Sequence, residues 1–329
     1  MRAMVLDRFG GPEVLRLGDI ERPPVEAGGV VVEVAFASVN PADWKAREGW
    51  LARYFDYQFP FVVGFDAAGV VAEVGEGVTD LVVGDRVVTA SNQGRGARGS
   101  YAEFVASDRE RVVKLPASVG FREAATLPTA GMTAWQAVFD VGQAKAGQKI
   151  LVNGGAGGTG SFAIQLARMA GADVAATCGP HNLDYVRDLG AALAIDYREG
   201  RVIDAVRAWA PDGVDLVIDT VGQGSLLDAI EILKRGGLVA PITTLIADEP
   251  MPDAARAEAL GVRIEIATST FPNQPRQLNG LVDALAAGRI RAPDMTILPL
   301  DRAAEAQTRV AAGHVRGKIL LEVNAEVGQ

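Results

Sequence analysis

The stretch Lys149-Ile-Leu-Val-Asn-Gly-Gly-Ala-Gly-Gly-Thr-Gly160, running on through Ser161-Phe-Ala-Ile-Gln-Leu-Ala-Arg-Met-Ala170, restricts the fold of this chain more than any other. Ile150 to Val152 is a short apolar run of the kind buried on both faces in a parallel sheet. Glycines come after it as a turn, and Ile164, Leu166 and Ala167 then recur at helical spacing. Gly155-Ala156-Gly157-Gly158-Thr159-Gly160 fits G-x-G-x-x-G between a strand and a helix, the context that makes such a run a dinucleotide-binding turn. Gly155 permits the tight turn, Gly157 lets the backbone approach a pyrophosphate, and Gly160 lets the helix lie close to its strand. Free N–H groups at the helix start, with the positive end of its dipole, attract phosphate. The alternative for this stretch is a glycine-rich turn between strand and helix that holds no ligand, and the motif alone, without its flanks, does not separate the two.

The flanks extend in both directions. Strands are predicted at Ile150–Asn153, Asp173–Cys178, Leu193–Tyr197, Val214–Val221, Leu238–Ile242 and Arg263–Ser269. Helices fill the gaps, among them Asn182–Leu189, Val202–Trp209 and Leu226–Leu233. Six strands alternating with helices define an α/β, doubly wound parallel sheet with its ligand at the carboxyl edge. Residues 1 to about 120 differ in texture. Val30–Phe36, Gly69–Val74, Tyr101–Val105 and Arg111–Leu115 are strand-like runs separated by glycine and proline turns, the pattern of a compact, partly barrel-like β domain. Phe121 to Val141 is alanine-rich and helical in spacing, interrupted at Pro128 and Gly131. The tail from about Thr270 carries an amphipathic helix (Leu278–Ala287) and a last strand (Lys318–Val323); fold rules alone assign it to neither half.

Composition narrows the classes of function. A chain of 329 residues suggests two domains. The formal net charge of -9 argues against a nucleic-acid surface, which needs a basic face. No apolar run approaches the roughly 20 residues that span a bilayer. Asp7 and Arg8 break the first apolar run, so no signal peptide is read there and a cytoplasmic location is expected. One cysteine, Cys178, forbids an intramolecular disulfide. With only His181 and His314 beside it, a tetrahedral zinc site of Cys and His is not expected, and Cys178-Gly-Pro-His181 reads as a strand end followed by a turn.

Several segments together resemble the medium-chain dehydrogenase/reductase superfamily across essentially the whole chain. They are Ser38–Asp43, Val63–Gly75, Gly84–Val87, Gly99–Phe104, Leu127–Trp135, the glycine turn, Asp215–Gly222 and Val315–Leu321. The resemblance implies a GroES-like substrate domain built from residues 1–122 and 269–329, with a Rossmann nucleotide domain, residues 123–268, inserted between. Zinc alcohol dehydrogenases of the superfamily carry Cys where this chain has Asn40, and Gly-His-Glu where it has Gly64-Phe65-Asp66. The chain resembles the zinc-independent quinone oxidoreductase branch instead, and Ala176–Asn182 is also similar to fungal trans-acting enoyl reductases of that branch.

That branch implies NADP(H) as cofactor and a small-molecule quinone or α,β-unsaturated carbonyl as acceptor, whose charge hydrogen bonds can stabilise without a Lewis acid. The end of the second nucleotide strand, Ala175-Ala-Thr-Cys178, lacks the acid that an NAD site uses for the ribose hydroxyls. By resemblance, Tyr197 lies near the 2′-phosphate with His181 and Asn182 nearby, and Cys178 is assigned to the cofactor. Tyr197 also suits a partly buried strand end, and Arg187 and Arg198 are candidate charge partners that equally suit a solvated face. Thr129 and Lys318 are assigned to the cofactor, and Val221 and Ile242 to the strand ends it passes. Thr129 also suits a helix N-cap, Lys318 a surface lysine, and Val221 and Ile242 plain core. Asn40 and Asp43 match the family motif, Asn40 toward nicotinamide ribose or substrate oxygen; Asn40 equally suits the turn before Pro41. Trp44, Tyr54 and Tyr57 join them as pocket candidates, either phenol being a donor to the acceptor oxygen or simply packed. Asp66 reads as structural. Alternative readings are an enoyl-thioester reductase and a non-catalytic NADPH-binding structural or regulatory protein. A homodimer is expected from the family, with Arg263–Thr268 as an edge strand open to pairing.

Overall fold

The computed structural model of the protein describes residues 1–54, 57–91, 99–268 and 273–327. The chain divides into two compact units, Met1–Thr129 with Phe271–Gln329, and Ala130–Thr270. The tail thus returns to the N-terminal unit. The first stretch of that unit runs to Thr129, and its helix Phe121–Ala125 packs on strands Gly29–Val39 and Asp66–Val74.

The inserted unit holds a six-stranded parallel sheet in the order Leu193–Asp196, Asp173–Cys178, Lys149–Asn153, Val214–Asp219, Leu233–Pro241, Arg263–Ile264. Numbered along the chain this is 3-2-1-4-5-6, so direction reverses beside the strand that feeds the glycine turn, where doubly wound folds bind ligands. Ile150, Leu151 and Val152 are fully buried, as are Phe162, Ile164 and Leu166 of the helix Gly158–Met169, which lies against that sheet.

Two segments depart from the sequence reading. Leu226–Leu233 is not an α-helix but a 3₁₀-helix, Leu227–Ile232. Ala229, Ile230 and Ile232 of this turn are buried, an i, i+1, i+3 set that both helix types can present. The last strand is shorter than Arg263–Ser269, keeping only Arg263–Ile264 and an isolated bridge from Ile242 to Ala267; Ser269 lies outside the described residues. Short edge strands are one way sheets limit unwanted pairing.

The other unit contains a seven-stranded sheet and a three-stranded one. In the larger, Lys318–Glu322 and Asp66–Val74 flank Gly29–Val39, both antiparallel to it. The strand expected at Tyr101–Val105 starts later, at Phe104–Asp108, which leaves Tyr101 as a fully buried side chain before it. Strand register places the polar residues of this unit. Ile319 pairs with Val39, and Asp66 with Ser38, so the end of one strand meets the starts of two others at Asn40. The segment after Pro128 is also irregular: Leu127–Gly131 and Gln136–Val141 are π-helical, with the α-turn Met132–Trp135 between them. Proline has no N–H for the ladder, and π turns recur where helices carry functional groups. Among the described residues, no helix is long and apolar enough to cross a membrane.

Candidate active site

The glycine turn is held from beneath by a polar network on the ends of three strands. Thr177 Oγ1 donates to Asn153 Oδ1 (2.7 Å), and Gly154 N–H donates to Thr177 Oγ1 (2.9 Å). Asn153 Nδ2 donates to Asp219 Oδ1 (2.8 Å) and Ser225 Oγ (3.0 Å), and the same Asp219 oxygen accepts from Val221 N (3.0 Å) and Gly222 N (3.2 Å). Sequence reasoning misses this network. Its only trace there is polar residues closing apolar strands at Asn153, Thr177 and Asp219.

The glycines of the turn answer to different neighbours. A Cβ on Gly160 would stand 2.2 Å from Gly154 O and 2.8 Å from Gly155 Cα, so the helix start could not lie where it does. Gly154, which sequence reasoning leaves out of the site, has φ 81° and needs to be glycine for its conformation alone. Gly157 differs. A Cβ there meets nothing closer than Gly154 O at 3.6 Å, so the protein's own packing leaves this space open. Gly157 is the N-cap of Gly158–Met169, whose first N–H groups have no earlier carbonyl to bond. An open, dipole-facing cradle at that place fits a dinucleotide diphosphate.

The remaining candidates of this unit are spread along the same strand ends. Cys178 is buried, and burial, with Asp196 adding, pushes its thiol up to about 11, so it stays protonated. His181 is exposed and Asn182 half-buried in the turn Pro180–Asn182. Tyr197 is 42% exposed, and a Cβ on Gly179 would lie 3.9 Å from its hydroxyl. Arg198 sits over the Tyr197 ring at 5.6 Å, whereas Arg187 is paired with Asp184 at 2.8 Å. Val221 is 43% exposed, so it is not core; Ile242 is half-buried and donates its N–H to Asp219 O (2.9 Å). Ala156 is buried, while Gly158 and Thr159 are half-buried at the helix start.

In the other unit, Asn40, Asp43, Asp66, Tyr101 and Lys318 form one buried cluster, with the half-buried Thr129 at its edge. Lys318 Nζ donates to Asn40 Oδ1 and to Val39 O (3.1 Å). Asn40 Nδ2 donates to Asp66 Oδ2 (2.9 Å), and Asp66 Oδ1 accepts from both Thr129 N (3.1 Å) and Thr129 Oγ1 (2.6 Å). Asp43 Oδ2 accepts from Asn40 N (2.7 Å) and Tyr101 OH (2.9 Å), and its other oxygen from Phe65 N (3.2 Å). The surface-lysine alternative is excluded, since Lys318 is 5% exposed. Asn40 does start a helix, Pro41–Arg47, but its amide is spent on Lys318 and Asp66. Thr129 lies in the π turn, and its N–H goes to Asp66.

Two carboxylates and one ammonium share this interior. Burial and the Asp66 charge push the Asp43 carboxyl up to about 7, against the bonds from Asn40 and Tyr101 and the charge of Lys318. Burial also raises Asp66, opposed by Lys318, Thr129 and Asn40. Lys318 is lowered by burial while both aspartates hold it charged. Tyr101 is pushed well above its ordinary value by burial and by Asp43, so it donates and stays neutral.

The tyrosine candidates separate. Tyr57 packs edge-on against Phe9 (5.1 Å) and Phe61 (4.6 Å), and is therefore part of an aromatic cluster. Tyr54 is 59% exposed beneath Arg53. Trp44 packs against Trp50.

Comparison with known proteins agrees with this architecture. Residues 26–117 match the alcohol dehydrogenase GroES-like domain, and residues 189–321 the zinc-binding dehydrogenase family. The chain is 32% identical to a chloroplast envelope quinone oxidoreductase homolog of Arabidopsis thaliana, over 98% of both chains. It is 32% identical to quinone oxidoreductase of Rattus norvegicus, over 97% of this chain and 96% of the relative. A crystal structure of Escherichia coli quinone oxidoreductase complexed with NADPH superposes with a TM-score of 0.87 at 25% identity, covering 98% of this chain and all of the other. A doubly wound sheet inserted in a GroES-like unit defines a dehydrogenase or reductase of the medium-chain type. Within that superfamily, the chain belongs to the quinone oxidoreductase branch.

Proposed function

We propose that this protein is an NADPH-dependent oxidoreductase that reduces a quinone or an α,β-unsaturated carbonyl without zinc. NADP(H) is its cofactor; when bound, the nicotinamide supplies the hydride. Gly155 to Gly160 would hold the diphosphate, and the open space at Gly157 is the observation that supports this. Tyr197, His181 and Asn182 would take the 2′-phosphate side, where the second strand ends in a neutral thiol rather than an acid. Roles for Asn40, Thr129 and Lys318 toward the nicotinamide rest on the family resemblance.

The zinc-free reading is carried by one observation. At the position where zinc relatives present a thiolate, Asn40 has its oxygen bonded to the Lys318 ammonium and its nitrogen to Asp66. An ammonium in the metal's company of donors does not fit a dication. Among the described residues, no group of three or more His, Cys, Asp or Glu is placed to hold a metal. A conjugated acceptor needs less help, because its developing charge is delocalised onto an oxygen that a hydrogen bond can meet. Of the two pocket tyrosines, Tyr54 is the exposed phenol that would donate it, with solvent completing protonation.

A panel of quinones and enones offered with NADPH, and separately with NADH, tests the proposal through loss of the reduced-nicotinamide absorbance. Turnover with NADPH and at least one conjugated acceptor is expected. Tight NADPH binding with no turnover of any acceptor would overturn it in favour of a binding role.

A further inference from the structure

Lys318 is an unusual residue to find 5% exposed, since a buried ammonium is stable only when paired and hydrogen-bonded. It lies 278 residues from Asn40 in sequence, and the antiparallel register of Ile319 with Val39 is what brings the two together. Its ammonium takes the Asn40 oxygen and the Val39 carbonyl; Asp66 takes the Asn40 nitrogen from the opposite side. An amide gripped by a donor at one end and a carboxylate at the other cannot flip, because the flipped form would set NH₂ against ammonium and oxygen against carboxylate. Asp66 is oriented in turn by Thr129, whose N–H and hydroxyl both reach one of its oxygens. The chain of contacts is Lys318, Asn40, Asp66, Thr129, and every member but Thr129 is buried.

We infer that Lys318 and Asp66 are positioning residues that act as a pair through Asn40: together they fix the orientation of the Asn40 amide and, through Asp66, the Thr129 hydroxyl. This deepens the zinc-free reading, on which it rests: the ordering around Asn40 comes from a fixed internal cation and carboxylate. The groups that face the pair are Asp43, Tyr101, Asn40 and Thr129; Asp43 binds the Asn40 backbone and so anchors the same residue from its main chain.

The test is a cycle of Lys318→Met, Asp66→Asn and the double variant, read by three measurements on the full-length protein. Side-chain amide exchange of ¹⁵N-labelled asparagine reports the Asn40 NH₂ group without any need for turnover. NADPH affinity reports the glycine cradle, and kcat and KM report chemistry. Slow exchange of the Asn40 NH₂ is expected in the wild type and is lost in Lys318→Met. kcat should fall by about tenfold to a hundredfold, as for a misplaced active-site group, and NADPH affinity by less than that. In the double variant the losses should not multiply, because one grip is broken once. Removing both charges together also protects against misfolding, since neither is left buried alone. Unchanged Asn40 exchange in Lys318→Met, or kcat losses that multiply in the double variant, would overturn the pairing. Failure of the wild type to turn over any acceptor, with Asn40 exchange behaving as expected, would instead count against the proposed reaction and leave the positioning pair supported.

Discussion

Replacing Gly157 and Gly160 by alanine, one at a time, should separate a glycine kept for a ligand from a glycine kept for the fold. At Gly160 the new methyl would stand 2.2 Å from Gly154 O and 2.8 Å from Gly155 Cα, both backbone atoms that cannot swing away. Overpacking of this kind costs roughly 1–3 kcal/mol or more, only partly offset by the roughly 1 kcal/mol that alanine gains over glycine inside a helix. At Gly157 the nearest atom is 3.6 Å away and the backbone, φ -76° and ψ 172°, is open to any residue. The only cost there is a poorer N-cap, about 0.5–1 kcal/mol. Yet the methyl enters the space left for the diphosphate, so NADPH affinity should fall by at least about tenfold, some 1.4 kcal/mol. Urea denaturation gives the first quantity and calorimetric titration with NADPH the second. Gly160→Ala should lose stability, and Gly157→Ala should lose affinity with stability nearly kept. Undiminished NADPH binding by Gly157→Ala would refute the assignment of the cradle.

The polar networks carry three more expectations. The Asp43 carboxyl is raised in the folded protein from 3.8 to about 7, so its contribution to stability is fully present below 3.8 and is lost as pH rises through 7. Thermal melts of Asp43→Asn across that window should therefore lack a fall in stability that the wild type shows; identical slopes would contradict the buried-carboxylate account. Asn153→Ala strips the acceptor from Thr177 Oγ1 and a donor from Asp219, and should cost roughly 1–3 kcal/mol in a denaturation midpoint while leaving the fold intact. Tyr197→Ala should weaken NADPH by about tenfold and NADH much less, in paired fluorescence titrations. Equal losses for both nucleotides would remove Tyr197 from the phosphate side.

Local sterics and periodicity decide what a sequence of this kind makes legible. The glycine turn is legible because Gly154 takes a left-handed φ and Gly155 and Gly160 stand against atoms that a side chain would strike. Strand Asp173–Cys178 and helix Val202–Trp209 match their sequence-based bounds to the residue, since apolar runs and a two-sided spacing mark them. The π turns at Leu127–Gly131 and Gln136–Val141 leave no mark beyond Pro128 and Gly131, because an i→i+5 bond needs no particular residue. The 3₁₀-helix Leu227–Ile232 reads as α because its buried residues Leu226, Ala229 and Ile230 stand at i, i+3 and i+4, the spacing of an α-helical face. The site divides along the same line. A motif finds Asn40 and Asp43, but the network that spends the Asn40 amide depends on Lys318 and Asp66, brought together only by sheet register. The family resemblance draws Lys318 to the cofactor, but composition leaves the surface open to it, and only its tertiary partners show it buried. Tyr57 and Tyr54 have equal claims as phenols in the sequence; packing places one among Phe9 and Phe61 and leaves the other in solvent.

The most direct test of a metal-free NADPH-dependent reductase is turnover per protein chain measured alongside metal content on the same preparation, before and after dialysis against a strong chelator. The account predicts NADPH consumption with a conjugated acceptor at an unchanged rate in protein carrying far less than one zinc per chain. Activity that tracks bound zinc, vanishing with its removal and returning with its addition, would contradict it.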